Sequence, residues 1–315
     1  MAIKWPTSII NSMSQPAITI ERLSKRYRSS NTFAIKDLTL QITAGEVYGF
    51  LGPNGAGKST TIRTLLNFIQ PSSGSATILG KDIVADSIEL KRSIGYLAGD
   101  VALYPKMTGQ QFLDYMKSLT PVKHPAYLKQ LVETYGAEMH KPIHQLSKGN
   151  RQKIGLIQAF MHEPEVLILD EPTSGLDPLM QATFFNYVKE AKRQGASVFL
   201  SSHDLAEVQK MCDRVGFIRA GELIIEESIA SLNQRASKIY EVTFSGKVPI
   251  TEIKRLAQVK VQLLSDVSAT IQIRGDLSPL FGILAKHQVV SLEPREASLE
   301  DEFMHLYEKA GVARP

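Results

Sequence analysis

The residues most able to do chemistry in this sequence stand in one run, Gly52-Pro53-Asn54-Gly55-Ala56-Gly57-Lys58-Ser59-Thr60. Gly52, Gly57, Lys58 and Ser59 fill every fixed position of the pattern G-x-x-x-x-G-K-[S/T]. Glycines so spaced let the backbone close around an anion, so that N–H groups and the N-terminus of the following helix point at phosphate oxygens. Lys58 then adds a mobile positive charge and Ser59 a hydroxyl for Mg2+. The plainer alternative, a glycine turn that merely enters a helix, has to explain those matches by coincidence. A second run, Val166-Leu167-Ile168-Leu169-Asp170-Glu171, ends an entirely apolar segment on two carboxylates. There Asp170 could hold the metal through water, and Glu171 could polarise a water for attack on a terminal phosphate. The alternative is that Asp170-Glu171-Pro172 is only a charged turn at a strand end. His203 follows the next apolar run and, taken alone, reads equally as a structural side chain. Its place in chain order after the two acids gives it a second reading, an imidazole that reports whether a γ-phosphate is present.

Such residues meet only if the elements carrying them bring them together. Val47 to Leu51 reads as a short apolar strand running straight into the glycine loop. Alternation at Ile18 and Ile20, and again at Leu38, Leu40 and Ile42, predicts two earlier strands, with a turn at Gly45-Glu46. Ile94 to Leu97, Val166 to Leu169 and Ser197 to Ser201 read as further strands. The spacing predicts helices over Thr108 to Leu119, from a cap at Ser147 to about Met161, and from Pro178 to about Arg193. Strands alternating with helices imply an α/β fold with a mostly parallel sheet and ligand groups at the carboxyl ends of its strands.

Beyond about Arg235 the texture changes. Strand (Tyr240 to Phe244), helix (Thr251 to Ala257), strand pair (Val259 to Leu264, Ala269 to Ile273), helix (Leu277 to Ala285) and strand (Val289 to Leu292) match a small ferredoxin-like α+β arrangement. Ser298 and Asp301 predict the capping box of a last helix. Domains are expected over 17–235 and 236–315, behind an N-terminal extension of residues 1–16.

The 315 residues are 43% hydrophobic and 22% charged, the composition of a folded globular chain with material for two domains. Lys and Arg number 36 against 32 Asp and Glu, a net +4 that is too mild to argue for nucleic acid. The cluster Lys148, Arg151 and Lys153 reads as a solvated helix face. Cys212 is the single cysteine, which excludes an internal disulfide and a cysteine-only metal site and fits a reducing compartment; it reads as a small buried hydrophobe. No apolar run approaches the roughly 18–20 residues that cross a bilayer, and the first residues lack the apolar core of a secretory signal. A cytoplasmic location is expected.

Over roughly Ala17 to Arg235 the sequence resembles the ATP-binding cassette (ABC) family. Leu146-Ser147-Lys148-Gly149-Asn150-Arg151-Gln152 is similar to that family's signature motif, and Ser174-Gly175-Leu176-Asp177 to its D-loop. The resemblance implies a P-loop cassette with an antiparallel β subdomain and a helical subdomain, binding ATP and Mg2+. It makes Lys58, Glu171 and His203 the catalytic group, with His203 as the switch histidine, and places Ser59 and Asp170 at the metal. Tyr27 looks like the aromatic that stacks on adenine; on its own sequence it is equally a partly buried strand-end tyrosine. The resemblance also implies a head-to-tail homodimer in which nucleotide on Gly52 to Thr60 of one copy meets Ser147 and Gly149 of the other, with Asp177 among the binding residues.

A separate integral-membrane permease is implied, and with it a peripheral place on the cytoplasmic face of the membrane. Leu103, Tyr104 and Phe112 are candidates for the groove that receives a short permease helix. Ser298-Leu299-Glu300-Asp301-Glu302-Phe303 resembles the tail of ABC-2-type exporter cassettes, which implies export of a drug, antibiotic or lipid-like molecule. Two departures from the family pattern stand out. Lys148 and Asn150 replace the commonest glycine and glutamine of the signature, and Gly99-Asp100 stands where the Q-loop glutamine is expected, so that Asp100 takes over a metal-water contact or that contact is missing. The alternative function is a cassette ATPase acting on ribosomes or nucleic acid. The first normally carries two cassettes, and the DNA-repair kind needs a coiled-coil or zinc insertion; the stretch from Lys58 to Ser147 has neither sustained heptads nor a cysteine.

Overall fold

The computed structural model describes residues 16–28, 30–235 and 238–295. The expected extension up to residue 15 and the predicted capping box and exporter-like tail at Ser298 to Phe303 lie outside the described residues. Two compact units are present, one ending at Glu226 and one beginning at Glu227.

The first unit runs β1 (Pro16–Arg26), β2 (Phe33–Thr43), β3 (Val47–Leu51), α1 (Lys58–Leu65), β4 (Ser73–Ile78), β5 (Lys81–Asp82), α2 (Ser87–Ser93) and β6 (Ile94–Leu97). It continues through α3 (Gly109–Leu119), α4 (Pro125–Tyr135), α5 (Lys148–Phe160), β7 (Val166–Asp170), α6 (Pro178–Arg193), β8 (Ser197–Ser202), α7 (Leu205–Met211), β9 (Arg214–Arg219) and β10 (Glu222–Ser228), within which the chain passes to the second unit. β3, β7 and β8 are buried along their whole length, which is why they read as unbroken apolar runs: a parallel strand covered on both faces has no polar side. They lie side by side in a six-stranded sheet of order β10-β9-β3-β8-β7-β6. Within it β3 pairs parallel with β8 and β9, and β7 with β8 and β6. The register sets Leu51 opposite Ser202 and Asp170 opposite Ser201. The loops that follow β3, β7 and β8 therefore leave the sheet at one level, next to each other.

An antiparallel sheet of order β2-β1-β4-β5 shares one core with the parallel sheet, joining Ile18, Ile20 and Ile35 to Phe50, Ile62 and Phe199. The helical part is set by local chemistry. Thr108 and Gln111 form a reciprocal capping box that starts α3. Ser147 Oγ accepts from Asn150 N–H and starts α5, a cap worth about 1 kcal/mol. Tyr135 of α4 stacks on Tyr187 of α6 with ring centroids 5.4 Å apart, a contact worth about 0.5–1.5 kcal/mol beyond its burial.

The second unit runs α8 (Ile229–Arg235), β11 (Lys238–Phe244), α9 (Ile250–Ile253), β12 (Val259–Leu263), β13 (Ser268–Ile273), α10 (Ser278–Leu284) and β14 (Val289–Arg295). Its sheet has the order β12-β13-β11-β14 with antiparallel pairs throughout, around a core that includes Val242, Phe244, Ile253, Ile271 and Leu280. The helix expected over Thr251 to Ala257 is only Ile250–Ile253, because the chain turns through the left-handed Gln258 (φ +57°) to enter β12. β14 extends past the expected Leu292 because Arg295 still pairs with Ile239. Among the described residues, no helix is long and apolar enough to cross a membrane.

One buried titratable group makes the fold acid-sensitive. His162 follows α5, is 5% exposed, and places Nε2 3.2 Å from the Ile94 carbonyl oxygen. Burial pushes its imidazole down to about 4, from 6.5. Between those values the unfolded chain takes a proton that the folded chain refuses, so stability falls as pH drops through the window, by about 2 kcal/mol from pH 7.5 to pH 5. Urea unfolding at the two pH values should show this loss, and His162→Gln, whose amide can still donate to Ile94, should remove it. An unchanged pH slope in the variant contradicts the assignment.

Candidate active site

The loop after β3 is shaped around what it must hold. Gly57 has φ +115°, and a Cβ there would lie 2.5 Å from the Ala34 carbonyl oxygen, so only glycine fits. α1 begins immediately afterwards with no side-chain cap and no acidic residue in its first turn. The leading N–H groups of a helix have no partners within it and form its positive end, which here is left for an anion. Lys58 is 6% exposed, and its ammonium donates to the carbonyl oxygens of Gly52 at 2.6 Å and Pro53 at 3.3 Å. Its third partner is Glu171 Oε1 at 3.2 Å. An ammonium taken out of water needs such partners, since burying it alone is strongly unfavourable.

Glu171 joins two of the neighbouring loops. Its other oxygen, Oε2, lies 2.7 Å from His203 Nδ1. A carboxylate only accepts, so Nδ1 carries the proton and Nε2 remains available on the 64%-exposed imidazole. Lys58, Glu171 and His203, read from three separate stretches of sequence, thus form one chain of contacts at the level set by the strand register. Glu171 adopts φ +47°, unusual for a residue with a Cβ, and its backbone is tied down on both sides. The N–H donates to Ser201 Oγ at 3.1 Å, and the carbonyl accepts from Ser174 N–H at 3.1 Å and, more weakly, Gln152 Nε2 at 3.4 Å. Asp170, 5% exposed, receives the Ser201 hydroxyl at 2.5 Å. The loop beyond is braced by Glu207, whose Oε2 accepts from Thr173 Oγ1 at 2.8 Å and Ser202 Oγ at 3.1 Å. Burial pushes the Glu207 carboxyl above its usual range.

Tyr27 lies just past β1 with its hydroxyl 3.5 Å from Thr60 Oγ1, at the outer side of the loop. Ser147 and Asp177 are organised differently, through bonds within their own loops, and Gly149 through close packing. Ser147 caps α5, and Asp177 Oδ1 accepts from Met180 N–H at 2.9 Å to cap α6. A Cβ on Gly149 would approach the Gly175 carbonyl oxygen to 2.8 Å, so the start of α5 packs directly on the loop ahead of α6. Lys148 fastens that contact by donating to Ser174 Oγ at 2.9 Å, and Arg151 donates to the Leu146 carbonyl at 2.6 Å. Two members of the basic cluster are therefore engaged in local bonds as well as facing solvent. Gln152, 1% exposed, donates to the Pro172 carbonyl at 2.9 Å and ties the same helix to the loop after β7.

Three details differ from or add to the sequence reading. Phe112 is 4% exposed and lies beneath Tyr104, while Tyr104 is 50% exposed and meets Tyr115 edge-on at 5.5 Å; the surface aromatic pair is Tyr104 and Tyr115. Ser201 is a site residue that the sequence reading does not name; its only signal is a polar residue inside a run of buried positions, and Gln152, within the signature-like run, gains a structural role as the tie to the loop after β7. Cys212 is buried, which pushes its thiol well above the usual range and leaves it unreactive.

Residues 35–174 match the family model described as ABC transporter. The uncharacterised ABC transporter ATP-binding protein YdbJ of Bacillus subtilis is 32% identical over 299 residues, covering 93% of this chain and 96% of YdbJ. The bacitracin transport ATP-binding protein BcrA of Bacillus licheniformis is 32% identical over 90% of this chain and 95% of its own. The linearmycin resistance ATP-binding protein LnrL of Bacillus subtilis is also 32% identical, over 91% and 96%. Among solved structures, an ATP-binding subunit of an ABC transporter superposes with a TM-score of 0.63 at 26% identity, covering 69% of this chain and 92% of that one. The ATP-binding cassette MJ0796, in a dimeric post-hydrolysis state with ADP and Pi, superposes with a TM-score of 0.61 at 21% identity, over 67% and 98%, and is alike in fold.

Proposed function

The chain belongs to the ABC transporter family as an ATPase subunit, and from that premise we propose that two copies hydrolyse ATP in sites shared between them and drive a separate membrane permease. The observation that carries this reading is the bonded series Lys58–Glu171–His203 at the mouth of the glycine loop. In the structure Glu171 supplies the anionic oxygen that the Lys58 ammonium requires. A triphosphate on the loop offers better anions, so Lys58 turns to phosphate oxygens and the Glu171 carboxylate is released towards water. Glu171 then draws a proton from the water that attacks the γ-phosphorus in line, while Lys58 and the α1 N-terminus stabilise charge on the transferring group and on the departing ADP. His203 Nε2 faces the γ-phosphate, and Tyr27 stacks on the base.

Ser59 and Asp170 would hold Mg2+, which neutralises phosphate charge when bound. The donor set suits it. Ser59 offers a hydroxyl and Asp170 a carboxylate, hard oxygen donors of the kind an ion uses when it takes the rest of its ligands from phosphate and water. Ser147 and Gly149 stand at the start of α5 and Asp177 at the start of α6, and none of their contacts given above is with Lys58, Glu171 or His203, which leaves them for the site of a second copy in a head-to-tail homodimer. The cassette over 17–235 is assigned this work. The four-stranded order and antiparallel pairing of the second unit support a ferredoxin-like accessory domain over 236–315. The exposed Tyr104 and Tyr115 pair suits a permease helix at the cytoplasmic face of the membrane, and of the proposed exported substrates, a drug, an antibiotic or a lipid-like molecule, the bacitracin and linearmycin in the names of BcrA and LnrL favour an antibiotic. A tagged chain purified from detergent-solubilised membranes should carry a multi-span protein with it. Recovery with ribosomes or DNA and no membrane protein contradicts the proposal.

A further inference from the structure

Ser201 stands at the end of β8, two residues before His203, fully buried and preceded by the apolar Val198, Phe199 and Leu200. Its hydroxyl makes two bonds with different acids. It donates to Asp170 Oδ1 at 2.5 Å and accepts the backbone N–H of Glu171 at 3.1 Å, while that N–H also lies 3.3 Å from the Ser201 carbonyl oxygen. A hydroxyl has a single proton, so committing it to Asp170 leaves only lone pairs for Glu171, and the polarity of both contacts is fixed. The first bond holds one oxygen of Asp170 and so sets the direction of the other. That oxygen, Oδ2, faces Gly99, where a Cβ would come within 3.2 Å of it. No side chain at residue 99 grips the carboxylate, and Ser201 does so from β8. The second bond holds the N–H of a residue in the left-handed region (φ +47°), the turn from which the Glu171 side chain is aimed at Lys58 and His203.

We propose that Ser201 is a positioning residue for ATP hydrolysis, one hydroxyl orienting both the carboxylate that serves the metal and the turn that presents the catalytic carboxylate. This rests on the roles given above to Asp170 and Glu171. A polar group that only closed a strand end would affect stability; one that orients Asp170 must also change how the chain uses Mg2+. Partners that orient metal-binding groups typically contribute about 10–100-fold to metal affinity or activity.

The test titrates Mg2+ into full-length wild type, Ser201→Ala, Ser201→Cys and Asp170→Asn, reading binding of a fluorescent ATP analogue and, separately, steady-state turnover. Ser201→Cys keeps the side-chain volume with a weak donor and serves if the alanine variant does not fold. Both Ser201 variants should need about tenfold more Mg2+ for half-maximal binding and lose about tenfold or more in kcat. Their KM for ATP at saturating Mg2+ and their analogue affinity in EDTA should stay within about twofold of wild type. A Mg2+ midpoint and kcat within about twofold of wild type overturn the proposal, as does an equal loss of binding in EDTA. Asp170→Asn separates the two levels. If it shifts the Mg2+ midpoint and the Ser201 variants do not, only the Ser201 role falls; if it shifts nothing, the reading of Asp170 falls with it.

Discussion

Glu171→Gln should lower ATP turnover roughly 100- to 10,000-fold, the range that a general base contributes, without weakening ATP binding. The amide is nearly isosteric, so the left-handed turn and the bonds from Ser201 and Ser174 to its backbone persist. Its carbonyl can still accept from His203 Nδ1. What disappears is the negative charge 3.2 Å from Lys58 and the ability to take a proton from water. Losing the charge leaves Lys58 with the carbonyl oxygens of Gly52 and Pro53 and frees it for phosphate, so affinity for ATP should hold or rise. Near-normal turnover in this variant, measured by phosphate release, removes Glu171 from the chemistry.

Lys58→Ala acts on the other side of the same pair, and its effect should appear in binding. A charge-assisted hydrogen bond is worth about 1.5–3 kcal/mol, and the proposed mechanism gives the ammonium phosphate oxygens as partners, so ATP affinity should fall by about 100-fold. The fold should suffer less. Glu171 loses one cation but is 20% exposed and keeps His203, so it is not left as an isolated buried charge. Equilibrium binding of a labelled ATP analogue measures the first claim and thermal unfolding the second. Binding within about tenfold of wild type would mean that Lys58 does not face the phosphates.

What could be read in the sequence, and what could not, follows from how each feature is encoded. Gly52 to Thr60, Asp170, Glu171 and His203 were legible because their chemistry is local: fixed spacing at the end of an apolar strand. That the three strands sit side by side, with Asp170 level with Ser201 and Leu51 with Ser202, follows from a parallel sheet, but the order β3-β8-β7 does not. Ser201 was not legible because its meaning lies in partners far along the chain, and a serine in a buried strand has no periodicity to mark it; Gln152 stands in the signature-like run, but its bond to the Pro172 carbonyl could not be read there. The same holds for Lys148, which departs from the family's glycine at its position and turns out to bond Ser174. The resemblance makes Phe112 a candidate for the groove that receives a permease helix, whereas α3 turns it inward and the exposed aromatic pair is Tyr104 and Tyr115. In the second unit the alternation of strands and helices carried over, but the short helix Ile250–Ile253 ends at a left-handed turn that residue types around Gln258 do not announce.

In the proposed mechanism one chain holds only part of each hydrolytic site, the glycine loop with its two acids and histidine, while Ser147 and Gly149 serve the site of a second copy. Solution mass of Glu171→Gln by light scattering, with Mg2+ and either ATP or ADP, tests this most directly. The mass should be near twice 34.9 kDa with ATP and near 34.9 kDa with ADP, and the larger species should be lost when Gly149 is also changed to a bulky residue. A single-chain mass with saturating ATP, alongside wild-type turnover that stays proportional to chain concentration down to high dilution, would contradict it.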